Sequence, residues 1–442
     1  MLAVSESNNP RIPLYRLLNK VEALGKLSVV LFCYFVYFFP FKAYGFEPRL
    51  LIFLLAFVVA VIHRDRIQYR KIPAFYVKLL AIPVCIGLAA IVSLAVNGTS
   101  DIAFVIYPVQ IVYLLLLSYL IFYIQKRLLG KTDMVTVIDL IIAVLLVQSL
   151  ITVAMFLFAP INDFLFQLQG IDLRSKVIQM YVGKRLIGLG CFYFVGGIIY
   201  GFGLMLVVLR LLLKERVSRA ESIVYVLIYC ILFVVGICIA RTCLVGAGLS
   251  VLLLCVNTLG RRQQRRVWNV LKKFFILIGI LTVGLVSLYN MSPSFRDKYG
   301  AIIDFGFEMF FTFFEQGELS TASTESLKTL YVWPEKIDTY LIGDGRFTDG
   351  ESYYMHTDVG YIRLIYYFGI GGLFLLMLQQ FYCTGVLRRL SGNRYVRSFS
   401  WLLFLYALLL NLKGYIDFST FVFILAISAY SDFAGKRLLQ SE

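Results

Sequence analysis

The chain has 442 residues, of which 60% are hydrophobic and only 15% are charged, and its formal net charge is +16. Its mean hydropathy of +0.82 is more than a water-soluble domain can bury, so the composition excludes a soluble protein and predicts a polytopic membrane protein. The positive charge is spread over many loops and forms no single basic face, which argues against nucleic acid as a partner and favours contact with membrane lipids. The eight cysteines show no metal-ligand spacing and there are only two histidines, so no metal site is predicted.

A transmembrane helix needs about 20 apolar residues, and the chain offers about twelve candidates. In chain order they are 24–41, 49–63, 75–96, 102–124, 135–158, 189–213, 222–240, 242–259, 273–290, 359–384, 398–412 and 416–432. The predicted fold class is therefore an all-α polytopic membrane protein of about twelve transmembrane helices. We expect residues 1–442 to form a single integral membrane domain.

Seven basic clusters separate these segments and predict the orientation of the chain. They begin at Arg11, Arg64, Lys126, Lys214, Arg261, Arg388 and Lys436. With twelve crossings, every cluster falls on the same side as both termini. Because loops on the cytoplasmic side are enriched in Lys and Arg, both termini are predicted to be cytoplasmic.

Two connections on the opposite side are enlarged, a medium one over residues 159–188 and a long one over 291–358. The long loop carries twelve acidic and five basic residues, a net charge of −7. Loops of this size are more often functional than connective. Within the long loop, residues 325–340 predict a short amphipathic helix on the membrane surface, and the aromatic run 305–314 is expected at the same interface.

Three arginines lie at the predicted outer membrane boundary and are candidates for a binding site. Arg185 precedes the sixth apolar segment, Arg241 lies between the seventh and eighth, and Arg363 is about one turn inside the tenth. A guanidinium keeps its proton and presents a planar fork of donors, so three of them would form a cradle for a diphosphate. Because charge at membrane depth is costly, the alternative is that each arginine reaches lipid headgroups or pairs with an acid of the long loop.

Acid–base chemistry is predicted where the long loop meets the tenth apolar segment. His356, the only histidine on this side, and Asp358 can each accept a proton from a hydroxyl group. Two simpler interpretations stay open: Asp358 caps the following helix, and His356 is an ordinary surface residue. Upstream, the triplet Gly343-Asp344-Gly345 is typical of a turn.

Two of these polar residues are each followed by a glycine at the same distance along the sequence. Gly196 comes eleven positions after Arg185, and Gly369 comes eleven positions after Asp358. Eleven residues make about three helical turns and about 16 Å of rise, so each pair is expected on one helix face. Such glycines would let a neighbouring helix or lipid chain approach closely, and Gly360 is expected to be structural as well.

At these residues the chain resembles the superfamily of O-antigen polymerases (Wzy-type) and O-antigen ligases of the bacterial inner membrane. The layout is similar, with about twelve spans, cytoplasmic termini and two enlarged periplasmic loops. The late motif is also similar: a Gly-x-Gly loop, a catalytic-type residue, an apolar position four residues on and a glycine eleven residues on. Here these are Gly343-Asp344-Gly345, Asp358, Ile362 and Gly369.

Two further elements resemble the arginine motifs of that superfamily, Arg185 with its glycine at position 196 and Arg241 followed by Thr242. One departure concerns the catalytic motif. Ligases carry His-Asn or His-Ser where this chain has Asp-Val at 358–359, and the form of residues 358–363 looks more like polymerases. The departure leaves open whether His356 takes the role of the ligase histidine.

The resemblance implies a glycosyltransferase, independent of metals and cofactors, that makes a surface polysaccharide on the periplasmic face of the inner membrane. Donor and acceptor would both be undecaprenyl-diphosphate-linked oligosaccharides, and a chain-length regulator and a flippase are the further partners expected. Arg185, Arg241 and Arg363 would hold the diphosphate, and Asp358 or His356 would take the proton of the acceptor hydroxyl. Two alternatives remain: a ligase that transfers the glycan to lipid A-core, and a flippase or transporter of polysaccharide lipids.

Overall fold

The computed structural model shows a bundle of helices. It describes residues 11–63, 74–171, 183–214, 217–258, 291–317, 322–350 and 352–441, with single positions between 279 and 289. The helices, in chain order, are α1 Arg11–Phe38, α2 Leu50–Ile62, α3 Ala74–Asn97, α4 Tyr107–Leu129, α5 Met134–Leu157, α6 Ala159–Leu168, α7 Tyr193–Leu213, α8 Arg219–Ile239, α9 Cys243–Thr258, α10 Pro293–Gln316, α11 Ala322–Thr329, α12 Ile337–Leu341, α13 Gly360–Leu390, α14 Arg394–Asn411 and α15 Ser419–Ser441. Strands β1 Thr348–Asp349 and β2 Ser352–Tyr353 form an antiparallel hairpin.

Seven of these helices are both long and apolar enough to cross a membrane: α1, α3, α4, α5, α7, α8 and α13. Three shorter apolar helices are α2, α9 and the part of α15 from Ser419 to Phe433. Within the described residues, helices occur at eleven of the twelve apolar segments that the sequence predicts, and the remaining segment, 273–290, lies mostly outside them. The prediction of a mostly helical chain with several membrane-length helices is therefore confirmed.

Helix α7 lies at the centre of the bundle. Its residues from Gly196 to Leu209 are buried, and α5, α8, α9 and α14 pack against it. A glycine contact sets its distance from α9, because a Cβ on Gly246 would collide with the Cα of Gly201. Small residues at such a crossing let two backbones approach closely. Residues just before the first turn of α7 are consequently held at the end of the core.

Helix α13 is broken near its beginning. Phe368 and Gly369 depart from helical backbone angles, and Gly369 has a φ of 72°, which glycine adopts without the steric penalty of a Cβ. The break separates a first segment, Gly360 to Tyr367, from a second segment over residues 370–390. The second segment is about 32 Å long, so it alone is long enough to cross the apolar core of a bilayer.

The first segment of α13 runs across one end of the bundle. At its start, a Cβ on Gly360 would lie 2.8 Å from the carbonyl carbon of Gly414, in the turn between α14 and α15. At its end, the carbonyl of Tyr367 accepts a hydrogen bond of 2.7 Å from Ser93, near the end of α3. The segment thus joins the ends of two different helices. We call this end of the bundle, where residues 97–101, 183–192 and 412–418 connect the helices, the site end.

The long connection over residues 291–358 has its own secondary structure, and its α10 packs against α8. The amphipathic helix predicted over residues 325–340 is wrong as a single element, because α11 ends at Thr329 and α12 begins at Ile337. Pro334 explains the interruption. Its ring has no N–H to donate and disfavours helical angles in the residue before it.

The medium connection over residues 159–188 also contains a helix, α6, and its residues 172–182 lie outside the described part of the chain. The stretch just before α7 is firmly attached. The N–H of Gly190 donates to the side chain of Gln169 at 2.9 Å, and Gln148 of α5 donates to the carbonyl of Leu189 at 3.1 Å. These bonds fix the backbone that follows Arg185.

Candidate anion-binding and catalytic site

Two short connections bring Arg185 and Arg241 to the same part of the site end. The N–H of Leu186, next to Arg185, donates to the carbonyl of Cys238 at 3.0 Å, one residue before the end of α8. Arg241 lies three residues after Cys238, in the turn between α8 and α9. One backbone hydrogen bond therefore ties the two arginine-bearing connections together.

The two guanidinium groups share one aromatic ring. Their Cζ atoms lie 4.2 Å (Arg185) and 4.6 Å (Arg241) from the ring centre of Phe305 in α10. Glu308, one turn further along α10, accepts a hydrogen bond from Nη1 of Arg241. An aromatic face attracts cations, and an ion pair restricts the side chains that make it. Helix α10 of the long loop therefore contacts both arginines, and the alternative that an arginine pairs with an acid of the long loop is confirmed for Arg241.

Arg363 lies in a second aromatic setting. The residue is only 6% exposed, and its Cζ is 3.7 Å from the ring centre of Phe347 and 3.6 Å from that of Tyr353. Within the described residues its Nε has no hydrogen-bond partner, and no carboxylate forms an ion pair with it. A buried cation that forms no ion pair is costly, so an anion bound here would offset part of that cost.

The turn Gly343-Asp344-Gly345 closes the break in α13. The N–H of Asp344 donates to the carbonyl of Tyr366 at 2.6 Å, and that of Gly345 donates to the carbonyl of Tyr367 at 3.1 Å. The break deprives these carbonyls of helical partners, and the turn supplies new ones. Gly343 and Gly345 have φ values of 82° and 65°, and a Cβ on Gly343 would lie 2.5 Å from the α13 backbone.

The carboxylate of Asp344 is engaged within this same turn. It accepts hydrogen bonds from the hydroxyl of Thr339 at 2.6 Å and from that of Tyr354 at 3.2 Å. Burial and the nearby carboxylate both raise the pKa of Tyr354. Asp344 is thus a structural residue that stabilises the fold of the long loop.

The connection between α3 and α4 holds the turn from the other side. Asn97 donates to the carbonyl of Gly343 at 2.9 Å. Asp101 accepts a hydrogen bond of 2.7 Å from the N–H of Phe347, whose ring covers Arg363. These two polar side chains therefore position both the turn and the ring, a role that the sequence analysis did not assign to them.

Asp358 does not cap α13. The N-cap residue is Val359, and no side chain makes a capping hydrogen bond there. The N–H of Val359 instead donates to the hydroxyl of Thr357 at 3.3 Å. The carboxylate of Asp358 is exposed and makes no hydrogen bond to the described part of the chain. The capping interpretation is therefore wrong, and the carboxylate can accept a proton.

A further basic residue, Lys413, lies in the turn between α14 and α15. The next residue, Gly414, packs closely on Phe194 in the first turn of α7, since a Cβ on Gly414 would lie 2.8 Å from its Cε1. On the other side the turn meets Gly360, the first residue of α13. Lys413 is consequently placed between the chain that enters α7 and the chain that enters α13.

Electrostatic interactions connect Lys413 with three of the predicted site residues. Burial lowers the pKa of its ammonium group, the positive charges of Arg241 and Arg185 lower it further, and the carboxylate of Asp358 raises it. Lys413 was not predicted as a site residue, although one signal was present in the sequence. A lysine on the side predicted to be outside departs from the usual distribution of basic residues.

His356 lies two residues before Asp358 in the same connection. It is exposed, and both it and Met355 have positive φ values, 51° and 55°, a conformation that costs about 1–2 kcal/mol for a residue with a Cβ. Asp358, by contrast, interacts electrostatically with Arg363 as well as with Lys413. Asp358 is therefore within electrostatic reach of both groups of cations, and the choice between Asp358 and His356 as the base stays a prediction.

The eleven-residue spacings do not mark single helix faces. Arg185 lies eight residues before the start of α7, and Asp358 lies before α13, which is broken at Gly369. The expectation that each polar residue shares a helix face with its glycine is wrong, because both helices start after the polar residue. The glycines serve other contacts: a Cβ on Gly196 would lie 2.7 Å from the end of α8, and one on Gly369 would lie 2.6 Å from the carbonyl oxygen at the end of α12.

The site end thus carries several cationic side chains with carboxylates beside them. The cations are Arg185, Arg241, Arg363 and Lys413, and the carboxylates near them are Glu308 and Asp358. Guanidinium and ammonium groups are the side chains that bind the oxygens of an anion such as a diphosphate. Among the described residues, no three His, Cys, Asp or Glu side chains are grouped as metal ligands. The arrangement can bind an anion and accept a proton beside it.

The fold and the site define a helical protein with membrane-length helices and a cationic, carboxylate-bearing end. Comparisons with protein-family models, with curated proteins and with solved structures find no match to this chain. Its function therefore has to follow from the chemistry of the site end.

Proposed function

We propose that this chain is a membrane glycosyltransferase that joins undecaprenyl-diphosphate-linked oligosaccharide units into a surface polysaccharide. The observation that carries the proposal is the pair Arg185 and Arg241 on one Phe305 ring, with Lys413 and Asp358 within electrostatic reach. Arginine binds phosphate oxygens through paired hydrogen bonds, and an exposed carboxylate beside it can act as a general base. The resemblance of residues 343–369 to O-antigen polymerases points to the same reaction.

In the proposed membrane arrangement the site end faces the periplasm. About twelve spans, with residues 159–188 and 291–358 as enlarged periplasmic connections, place both termini and the basic clusters in the cytoplasm. The second segment of α13 then crosses the bilayer, and the first segment lies along its outer boundary. A prenyl chain would stay in the membrane while its diphosphate reaches the arginines.

In the proposed reaction, the hydroxyl of one lipid-linked unit attacks the anomeric carbon of the donor glycan. The glycosidic C–O bond forms, the bond from that carbon to the diphosphate oxygen breaks, and the hydroxyl proton passes to Asp358. Arg185 and Arg241, with Arg363 as a third contact, stabilise the charge that develops on the departing lipid diphosphate. This diphosphate is already a good leaving group, so the proposed reaction needs neither a metal nor a nucleotide.

A transporter of lipid-linked sugars is the rival class, because broken helices form the substrate sites of many transporters. In those proteins the breaks lie near the middle of the membrane. Here the turn that closes the break in α13 is bonded to Asn97, the last residue of α3. A break at the end of the helices favours a reaction at the membrane surface over transport of a lipid-linked sugar through the bundle.

Purified protein incubated with lipid-linked repeat units alone tests the proposal. A ladder of longer glycans that grows without any lipid A-core supports the polymerase. Transfer that occurs only when lipid A-core is supplied identifies the ligase reaction instead. Absence of product under both conditions contradicts a glycosyltransferase.

Two substitutions tie the product to the site, since Arg185→Ala and Arg241→Ala should each abolish it. The matched control is Arg127→Ala. Arg127 also lies near an aromatic ring, 5.9 Å from the centre of Tyr123. It is about 30 Å along α4 from Tyr107, which contacts the site end through a hydrogen bond of 2.8 Å to Asp417. The control variant should retain the wild-type ladder.

A further inference from the structure

We propose that helices α13 and α14 form a binding site for one anionic phospholipid, whose headgroup phosphate contacts the guanidinium of Arg388. Arg388 lies at the other end of α13 from the site end, after about 27 Å of helical rise from Ile370. The inference rests on the proposed membrane arrangement of these helices and is independent of the proposed reaction. It assigns a ligand to a second end of the bundle.

The guanidinium of Arg388 points back along α13, toward the middle of the proposed span. Its Cζ lies 4.8 Å from the ring centre of Phe381, which precedes it by two helical turns, and 3.7 Å from that of Trp401 in α14. Gly385 leaves room for this course, because a Cβ there would lie 3.0 Å from Nη2 of Arg388. An arginine that only reached for water would extend away from the apolar core.

This guanidinium lacks an acceptor from the protein. Its Nη1 is buried and has no hydrogen-bond partner within the described residues, and none of their carboxylates forms an ion pair with it. The two rings attract the charge but do not replace the oxygen acceptors that a guanidinium normally has. Because Arg388 is only partly buried, an anion from outside the chain can approach it.

An apolar face of α13 continues from the guanidinium toward the middle of the proposed span. Phe374, Leu378 and Phe381 follow one another at intervals of four and three residues, so they lie on one side of the helix, and all three are exposed. Trp401, also exposed, borders this face from α14, with its ring centre 5.8 Å from that of Phe381. A cation at the end of an exposed apolar face has the order of phosphate and acyl chains in a phospholipid.

Arg397 adds a second positive charge on the neighbouring helix. It lies one turn before Trp401 on α14 and is exposed, so it shares a helix face with the ring that Arg388 contacts. Within the described residues it forms no ion pair. Basic residues at a membrane boundary attract anionic lipids, and we expect Arg397 to strengthen the binding of the same headgroup.

Charge complementarity favours an anionic phospholipid over a zwitterionic one. The phosphate of phosphatidylcholine is already neutralised by its own choline cation, whereas phosphatidylglycerol keeps a net negative charge. One arginine near an anionic lipid surface strengthens binding by about fivefold. Two such residues predict a preference for phosphatidylglycerol over phosphatidylcholine of about tenfold or more.

Quenching of Trp401 by brominated lipids tests the site, because bromine quenches a tryptophan that it contacts. The chain has three tryptophans, so Trp268→Phe and Trp333→Phe leave Trp401 as the only one. This full-length chain is placed in mixed vesicles of phosphatidylcholine and phosphatidylglycerol, in which one lipid or the other carries brominated acyl chains. The ratio of the two quenching curves gives the preference at Trp401, which we expect to be about tenfold or more.

Arg388→Gln should lower this preference by about fivefold, and Arg397→Gln should lower it as well. Arg397 is exposed, so its variant keeps the site testable if Arg388→Gln does not fold. Arg127→Gln is the matched control, because Arg127 also lies near an aromatic ring, 5.9 Å from the centre of Tyr123, but on α4. It should keep the wild-type preference.

Equal quenching of Trp401 by the two lipids overturns the inference. An unchanged preference in folded Arg388→Gln overturns it too, as does an unchanged preference in Arg397→Gln if Arg388→Gln does not fold. Quenching by neither lipid also overturns it and shows that this face is covered by protein, such as a second copy of the chain, or by water. If Trp401 then emits like tryptophan in water, the proposed membrane arrangement fails with it.

Discussion

Phe305→Leu tests whether the aromatic ring keeps Arg185 and Arg241 in a binding arrangement. Leucine retains an apolar side chain on α10 but removes the face that both guanidinium groups contact, at 4.2 and 4.6 Å. One cation–π contact contributes about 0.5–2 kcal/mol, depending on desolvation, so the loss of two amounts to about 1–4 kcal/mol. The two like charges would then separate, and a ligand would have to bring them together again.

We therefore expect Phe305→Leu to raise the KM for the lipid-linked donor by about tenfold or more, while kcat changes by less than about threefold, because Asp358 is not altered. Initial rates of lipid-diphosphate release at varied donor concentration separate the two constants. Phe310→Leu is the control on the same helix, since its ring lies 6.1 Å from that of Phe307 and, among the described residues, on no arginine. An unchanged KM in Phe305→Leu, or an equal rise in Phe310→Leu, would refute the reasoning.

Three further experiments test other parts of the site. Asp358→Asn should lower kcat by about 100-fold or more, because it removes the proposed general base, whereas His356→Ala should keep kcat within about threefold of wild type. The opposite order would make His356 the base. Gly369→Ala should lower the Tm, because alanine at a φ of 72° costs at least about 1–2 kcal/mol of folding free energy. Gly371→Ala should leave the Tm unchanged, because a Cβ at Gly371 meets nothing within 4 Å. Equal Tm values for the two variants would contradict the role of the break. Asp101→Ala should speed hydrogen exchange by about tenfold or more at the N–H groups of Phe347 and Thr348, which donate to its carboxylate at 2.7 and 3.0 Å. Unchanged exchange at these groups would show that other contacts hold the turn.

The apolar helices were predictable because hydropathy is a local property of the chain. Their ends were less predictable, since polar residues can continue a helix beyond the apolar stretch. Helix α13 ends at Leu390, six residues after the predicted limit, because Arg388 and Arg389 are good helix formers in their own right. In the same way α1 starts at Arg11 and not near residue 24.

The pair Arg185 and Arg241 was predictable in outline because charge at membrane depth is rare, whereas Arg363 lies on other rings. Its partners were not, because they depend on tertiary packing. Phe305 and Glu308 belong to a helix with aromatic and acidic residues on several faces. The face that meets the arginines is set by the packing of Gly306 on Cys238, where a Cβ on Gly306 would lie 3.2 Å from the sulfur. Similarly, the position of Lys413 depends on contacts of its turn with residues distant in the sequence.

The turn at Asp344 shows how a local pattern can leave the role of a residue open. The triplet of two glycines and an aspartate predicts a turn, and a turn is present. This turn closes the break in α13, and that role depends on Gly369, 25 residues after Asp344, and on Asn97, more than 200 residues before it. Nothing in the triplet itself indicates those contacts.

The most direct measurement of the central claim is the amount of undecaprenyl diphosphate released for each glycosidic bond formed, in vesicles that contain the purified protein and lipid-linked repeat units. The proposed reaction predicts one released lipid diphosphate for each bond, and loss of both products in the Arg185→Ala, Arg241→Ala double variant. Glycan growth without this release, or passage of lipid-linked units across the bilayer without any bond between them, would contradict it.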